Sequence, residues 1–120
     1  MAKLTIIAAA VFIAFAATSH NAKANGFESG YQLGGDCLAG FGNGSMTNDS
    51  YAKGGMCVGY ITGTMDALGG TAFCIPSDIK VARLAQKVTN YMSEQTEADL
   101  KKYSGAVFVR NALARAYPCH

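Results

Sequence analysis

Four cysteines, Cys37, Cys57, Cys74 and Cys119, constrain this chain more than any other feature, because all of them follow what reads as an export signal. Lys3 precedes an apolar run from Leu4 to Ala17, polar Thr18 to Asn21 comes next, and Ala22-Lys23-Ala24 ends the stretch. A charged start, an apolar core and an A-x-A site are the parts of a cleavable secretory signal peptide. The apolar run is about 14 residues, short of the roughly 20 that a permanent span needs. The expectation is therefore a signal peptide over 1–24 and a single exported domain over 25–120. No cysteine follows the cleavage site closely enough to carry a lipid.

An even number of cysteines in an exported chain reads as two disulfides in an oxidising compartment. Zinc is the rival reading, but there is no C-x-x-C, and the only histidine of the exported part is His120 at the terminus. Neither a metal centre nor a redox-active pair has its motif. The formal charge of +2 belongs to the leader: Lys3 and Lys23 leave with it, and eight basic and eight acidic residues remain. A neutral domain without a basic tract gives no footprint for nucleic acid or for an anionic membrane surface.

The exported part reads as helical throughout. Asn25 to Leu38 forms a weak first helix with Phe27, Tyr31 and Leu38 aligned, diluted by Gly30, Gly34 and Gly35. Gly40 to Asn48 is a loop by composition. A second helix, capped by Asp49 or Ser50, runs to Leu68 and stops at Gly69-Gly70. It carries Cys57, Ile61, Met65 and Leu68 on one stripe and Gly59, Gly63 and Asp66 on the other side. Two glycines one turn apart predict a close backbone approach, so this helix is expected to be covered on both faces. Pro76 and Ser77 open a third helix with Asp78 in its first turn, ending at Glu94. Its face of Val81, Leu84, Ala85, Val88, Tyr91 and Met92 opposes a row that includes Lys80, Arg83 and Lys87. Thr96-Glu97-Ala98-Asp99 resembles a capping box for a last helix, which Pro118 ends. The sum is an all-α fold, a small antiparallel bundle of about four helices, in which covalent staples matter.

Topology orders the cysteines. Cys74 precedes the third helix and Cys119 follows the fourth, so an antiparallel hairpin of those helices brings the two together. Cys37 ends the first helix and Cys57 lies about two turns into the second, across one loop. Of the three connectivities open to four cysteines, this favours Cys37–Cys57 and Cys74–Cys119. Loops of these sizes correspond to about 3 and about 4 kcal/mol of lost unfolded-chain entropy.

Catalytic groups are hard to find. A nucleophile needs a base within reach, and the exported part has no internal histidine. Most carboxylates sit at helix starts, where capping accounts for them. Asp66 is the exception, in an otherwise nearly uncharged helix beside the glycines, with backbone amides or Arg110 as its expected partners. A binding protein fits these residues better than an enzyme, with no cofactor. Its candidate contacts are Gly42, Asn43 and Met46 in the glycine-rich loop, and Phe108. Helical phase sets Phe108 apart from both apolar stripes of the last helix, between Lys101 and Arg115, where it reads as exposed.

Cys57-Val-Gly-Tyr-Ile-Thr-Gly-Thr-Met-Asp-Ala, then Cys74-Ile-Pro, an amphipathic helix ending near Tyr91-Met92, and Ala112-Leu-Ala-Arg-Ala-Tyr-Pro-Cys119 together resemble the Rap/Tai-type immunity proteins. Cys37 fits the same pattern. The resemblance implies a periplasmic, mostly helical, disulfide-bonded protein of a kind that often forms a homodimer and that catalyses nothing. It further implies a partner, a peptidoglycan amidase effector of type VI secretion, whose active-site groove the immunity protein occludes. The matching residues are scaffold positions and nominate no contact. The glycine-rich first helix and the Gly40 to Asn48 loop depart from the family pattern. Two alternatives share the small, exported, stapled character: a periplasmic acid-stress chaperone, and an inhibitor of another cell-wall lytic enzyme.

Overall fold

A computed structural model describes residues 28–120; the expected signal peptide over 1–24 and Phe27 of the expected first helix lie outside the described residues. Five helices follow one another: α1 (Gly30–Phe41), α2 (Asn48–Leu68), α3 (Val81–Ser93), α4 (Glu97–Lys102) and α5 (Gly105–Ala116). Among the described residues there is no strand, only isolated bridges at Ser29–Ser104 and Gly69–Phe73. The fold is all-α, as the sequence indicates, with five helices where about four are expected.

Helix α1 opens with a capping box in which Ser29 and Gln32 satisfy each other's backbone amides. It buries Gly30, Leu33 and Cys37, a stripe at i, i+3 and i+7. That corrects the expected core face: Tyr31 is 51% and Leu38 63% exposed. The register is set by backbone contacts that only glycine permits. Gly30 lies under the Phe108 ring, and Gly40 meets Gly54 of α2 so closely that a Cβ at position 40 would overlap the opposing backbone.

Helix α2 is capped by Thr47, whose hydroxyl accepts from the Ser50 amide while Ser50 Oγ accepts from Thr47 N. Asp49, one of the two expected caps, stands instead in the first turn and pairs with Lys53 at 2.7 Å. Gly54, Cys57, Ile61 and Thr64 are buried, and the helix ends at Gly69, with Gly70 taking the positive φ of 82° that suits glycine. The close approach that the glycines predict falls at Gly54, not at Gly59 and Gly63. Cβ atoms at those two positions would meet nothing within 4 Å, so this face is open rather than covered.

Pro76 and Ser77 do not open α3. Residues 75–80 run as an irregular connection with a turn in which Ile79 N donates to Pro76 O, and the helix begins at Val81. Fully buried Phe73 just ahead of the connection, and partly buried Ile75 and Ile79 within it, pack onto the core. Once begun, α3 buries Leu84, Ala85, Val88 and Met92, the expected face.

The expected last helix is two helices. Tyr103 and Ser104 are extended, and there the chain pairs with the start of α1: Gly30 N donates to Tyr103 O at 3.0 Å and Gly105 N to Glu28 O at 2.8 Å. Two extended residues reset the helical phase, so a stripe drawn straight through from Leu100 to Val107 mixes two faces. After the reset Gly105, Phe108, Val109, Ala112 and Leu113 point inward, while Tyr103 and Val107 are exposed. Thr96 caps α4 through a bond from Asp99 N at 3.2 Å.

Both disulfides form as the topology argument expects. Cys37–Cys57 ties α1 to α2 with Cα atoms 5.0 Å apart, and Cys74–Cys119 ties the lead-in to α3 to the end of the chain at 4.8 Å. Beside the second, Cys74 N donates to Tyr117 O at 2.8 Å.

Candidate functional site

The α1–α2 loop, 42–47, is short and held at both ends. Gly42 N donates to Leu38 O at 2.7 Å to close α1, and the Thr47–Ser50 box starts α2. Five residues before the loop, Cys37 is bonded to Cys57. Gly42, Asn43 and Met46 are exposed on it, Met46 by 46%. Such a loop is anchored at both ends and exposed between them, which suits a contact surface.

Gly42 and Asn43 form one wall of a cleft of about 570 Å³ between the end of α1 and the start of α3. Leu38 and Phe41 supply its apolar lining, and Lys80 and Arg83 stand on the opposite wall. The sequence pattern marks Lys80 and Arg83 as a solvated face but does not connect them with the loop. Their junction depends on the α1–α3 packing and on the turn at Ser77-Asp78, neither of which has a local signature.

Phe108 is not part of this surface. It is 4% exposed and sits in the core against Gly30, so its expected place between Lys101 and Arg115 is corrected by the phase reset at Tyr103-Ser104. Asp66 is exposed and takes no hydrogen bond or ion pair from the described residues; Arg110 donates to Asn111 instead.

Glu28, just ahead of α1, is the one carboxyl with an unusual setting. Its Oε2 is buried without a hydrogen-bond partner, and its amide donates to the Tyr60 hydroxyl at 2.7 Å. Burial, and then the nearby carboxylate of Asp36, hold its pKa above the usual glutamate range. Among the described residues no three His, Cys, Asp or Glu side chains converge as metal ligands, and all four thiols are in disulfides. No described helix is long and apolar enough to cross a membrane.

What the stapled helices and the fixed loop belong to is decided by comparison. A family model for Rap1a immunity proteins matches residues 29–119, from the α1 cap to the last cysteine. The chain belongs to the Rap1a immunity protein family. No curated protein matches it. Immunity proteins of this kind act against secreted effectors and are generally not enzymes, so the partner of a Rap1a-family chain is a cognate effector. In that light the cysteines are scaffold, and surface shape is where function is to be sought.

Proposed function

We propose that this Rap1a-family chain is exported, loses residues 1–24, and in the periplasm occludes the active-site groove of a peptidoglycan amidase delivered by type VI secretion. One observation carries the choice of surface: the exposed 42–47 loop is anchored between two capped helices that the Cys37–Cys57 bond joins. A loop with both ends anchored loses less freedom on entering a groove than one with free ends. Asn43 and Met46 are its leading contacts, with Gly42 letting the chain turn.

The test is inhibition. The oxidised protein is titrated against purified type VI amidases, beginning with any encoded beside it, and hydrolysis of isolated peptidoglycan is followed. Stoichiometric inhibition of one amidase, weakened by Met46→Asp, is expected. Inhibition of none would overturn the amidase reading. Broad binding of unfolding proteins only near pH 3 would favour the chaperone alternative.

The same reading includes a homodimer. Its support is the glycine face of α2, where Gly55, Gly59 and Gly63 lie open beside Met56, Ala67 and Ala106 in a hollow that no charged residue lines. Three glycines in one helix cost about 1 kcal/mol each against alanine, and close approach by the same face of a second copy would offset that. Light scattering should give twice the protomer mass, and Gly59→Leu should return it to the monomer.

A further inference from the structure

We propose that the trough between α1 and α3 is a second docking surface, which receives a segment of the partner protein bearing one or two carboxylates followed by apolar side chains. The proposal rests on the reading above for the existence of a protein partner, and extends it from the loop to a groove.

The cleft beside the loop does not end at Leu38. Leu38 and Thr89 also line a second hollow of about 360 Å³, which continues between the same helices past Gly34 and Met92 to Tyr31 and Leu100. Together the two make one trough along α1 from Phe41 back to Tyr31, roughly 15 Å at 1.5 Å per residue. Small residues create it: Gly34 and Gly35 on α1 and Ala82 on α3 leave the space that larger side chains would fill.

Its two ends differ in chemistry. Around the loop end stand Lys80 and Arg83, which form no ion pair among the described residues; the three pairs there use Lys53, Lys101 and Arg115. No carboxylate lines either hollow. Asp36, the acidic residue of α1, lies about 160° around the helix from Leu38, toward α2. The far end is apolar, with Tyr31 beneath the Lys101 ammonium at 4.9 Å and Met92 as the floor. Lys101 is itself paired with Glu97, so the free positive charge sits at the loop end alone.

Charge complementarity therefore selects the occupant. In a domain whose formal charges balance, a cleft lined by two unpaired cations and no anion favours carboxylates. The exposed Leu38, Phe41 and Tyr31 form a helix face that would otherwise be left in water, and they anchor the apolar part. A segment of about ten residues, if helical, matches the trough's length.

Displayed random dodecapeptides selected on the oxidised protein test this without knowledge of the effector. Expected are peptides with Asp or Glu beside apolar residues, weakened about tenfold by Arg83→Glu and by Leu38→Asp, and by added salt. Tyr51→Asp, at an exposed position of α2 that lines neither hollow, should leave them unchanged. Peptides without an acidic consensus, or bound equally by all three variants, would overturn the trough. The same variants are then read against the inhibited amidase. Full inhibition by Arg83→Glu and Leu38→Asp would also overturn the trough while leaving the immunity reading intact. Peptide selection as expected, with no amidase inhibited by the wild type, would sink the amidase reading and keep the trough. All three substitutions are at exposed positions, and circular dichroism checks that each variant is folded.

Discussion

Phe108 of α5 lies against the bare backbone of Gly30, the first residue of α1, so that a Cβ there would overlap the aromatic ring. The relationship is reciprocated one turn away, where Gly105 leaves room for Leu33: a Cβ at 105 would stand 2.6 Å from Leu33 Cδ2. Two glycine-and-side-chain pairs thus lock the start of α1 into the joint between α4 and α5. The backbone bonds Gly30 to Tyr103 and Gly105 to Glu28 close the same junction.

Substitutions here should act on stability. Phe108→Ala empties a buried aromatic site and is expected to cost about 3–5 kcal/mol. Gly30→Ala should cost roughly 1–3 kcal/mol by forcing the ring aside. Urea unfolding of both variants reads this. A Phe108 variant that unfolds like the wild type would return the residue to the surface.

The second close approach gives an asymmetric prediction. A Cβ on Gly40 would overlap Gly54 Cα, whereas one on Gly54 would stand 3.1 Å from Gly40 Cα. Gly40→Ala should therefore destabilise more than Gly54→Ala, by at least about 1 kcal/mol. Gly35 has nothing within 4 Å and sits inside α1, so Gly35→Ala should raise stability by roughly 0.5–1 kcal/mol. Midpoints from one denaturant series rank all three.

The disulfides should open in a fixed order. Cys37 and Cys57 are wholly buried, while Cys74 and Cys119 are exposed. Mild reduction followed by alkylation should label Cys74 and Cys119 first, with the helical fold retained. Replacing Cys37 and Cys57 by serine should cost about 3 kcal/mol, and more if the buried hydroxyls stay unpaired. Early labelling at Cys37 would contradict the burial argument.

These residues also show what could be read before the fold was known. The cysteine pairing was legible because antiparallel topology and loop length left one sensible arrangement. The α3 face was legible because its apolar period runs unbroken from Val81 to Met92. Helix α1 misled because its core stripe contains Gly30, which has no side chain to announce burial, while the exposed Tyr31 and Leu38 look like core. Phe108 misled because the phase break at Tyr103-Ser104 is imposed by pairing with residues 28–30, far away in sequence. The trough at Lys80 and Arg83 combines both difficulties: glycines make the space, and tertiary packing brings the cations to it.

Glu28 supplies a pH-dependent prediction. Its carboxyl faces Asp36, whose charge also acts on Lys53, and its own backbone amide is held by Tyr60. A carboxyl whose pKa is raised by folding binds its proton more tightly in the folded chain than in the unfolded one. The protonated form therefore favours the fold below the ordinary glutamate range, and that contribution is lost as pH rises through the raised value. At neutral pH the ionised group is a net burden, which Glu28→Gln removes while leaving the hydrogen bond from the backbone amide of residue 28 to the Tyr60 hydroxyl in place. The variant should melt higher than the wild type at pH 7, with the gap closing as pH falls through the glutamate range. Melting curves from pH 3 to pH 7 decide it: a gap that is constant, or wider in acid, would mean that the carboxyl is not held against its charge.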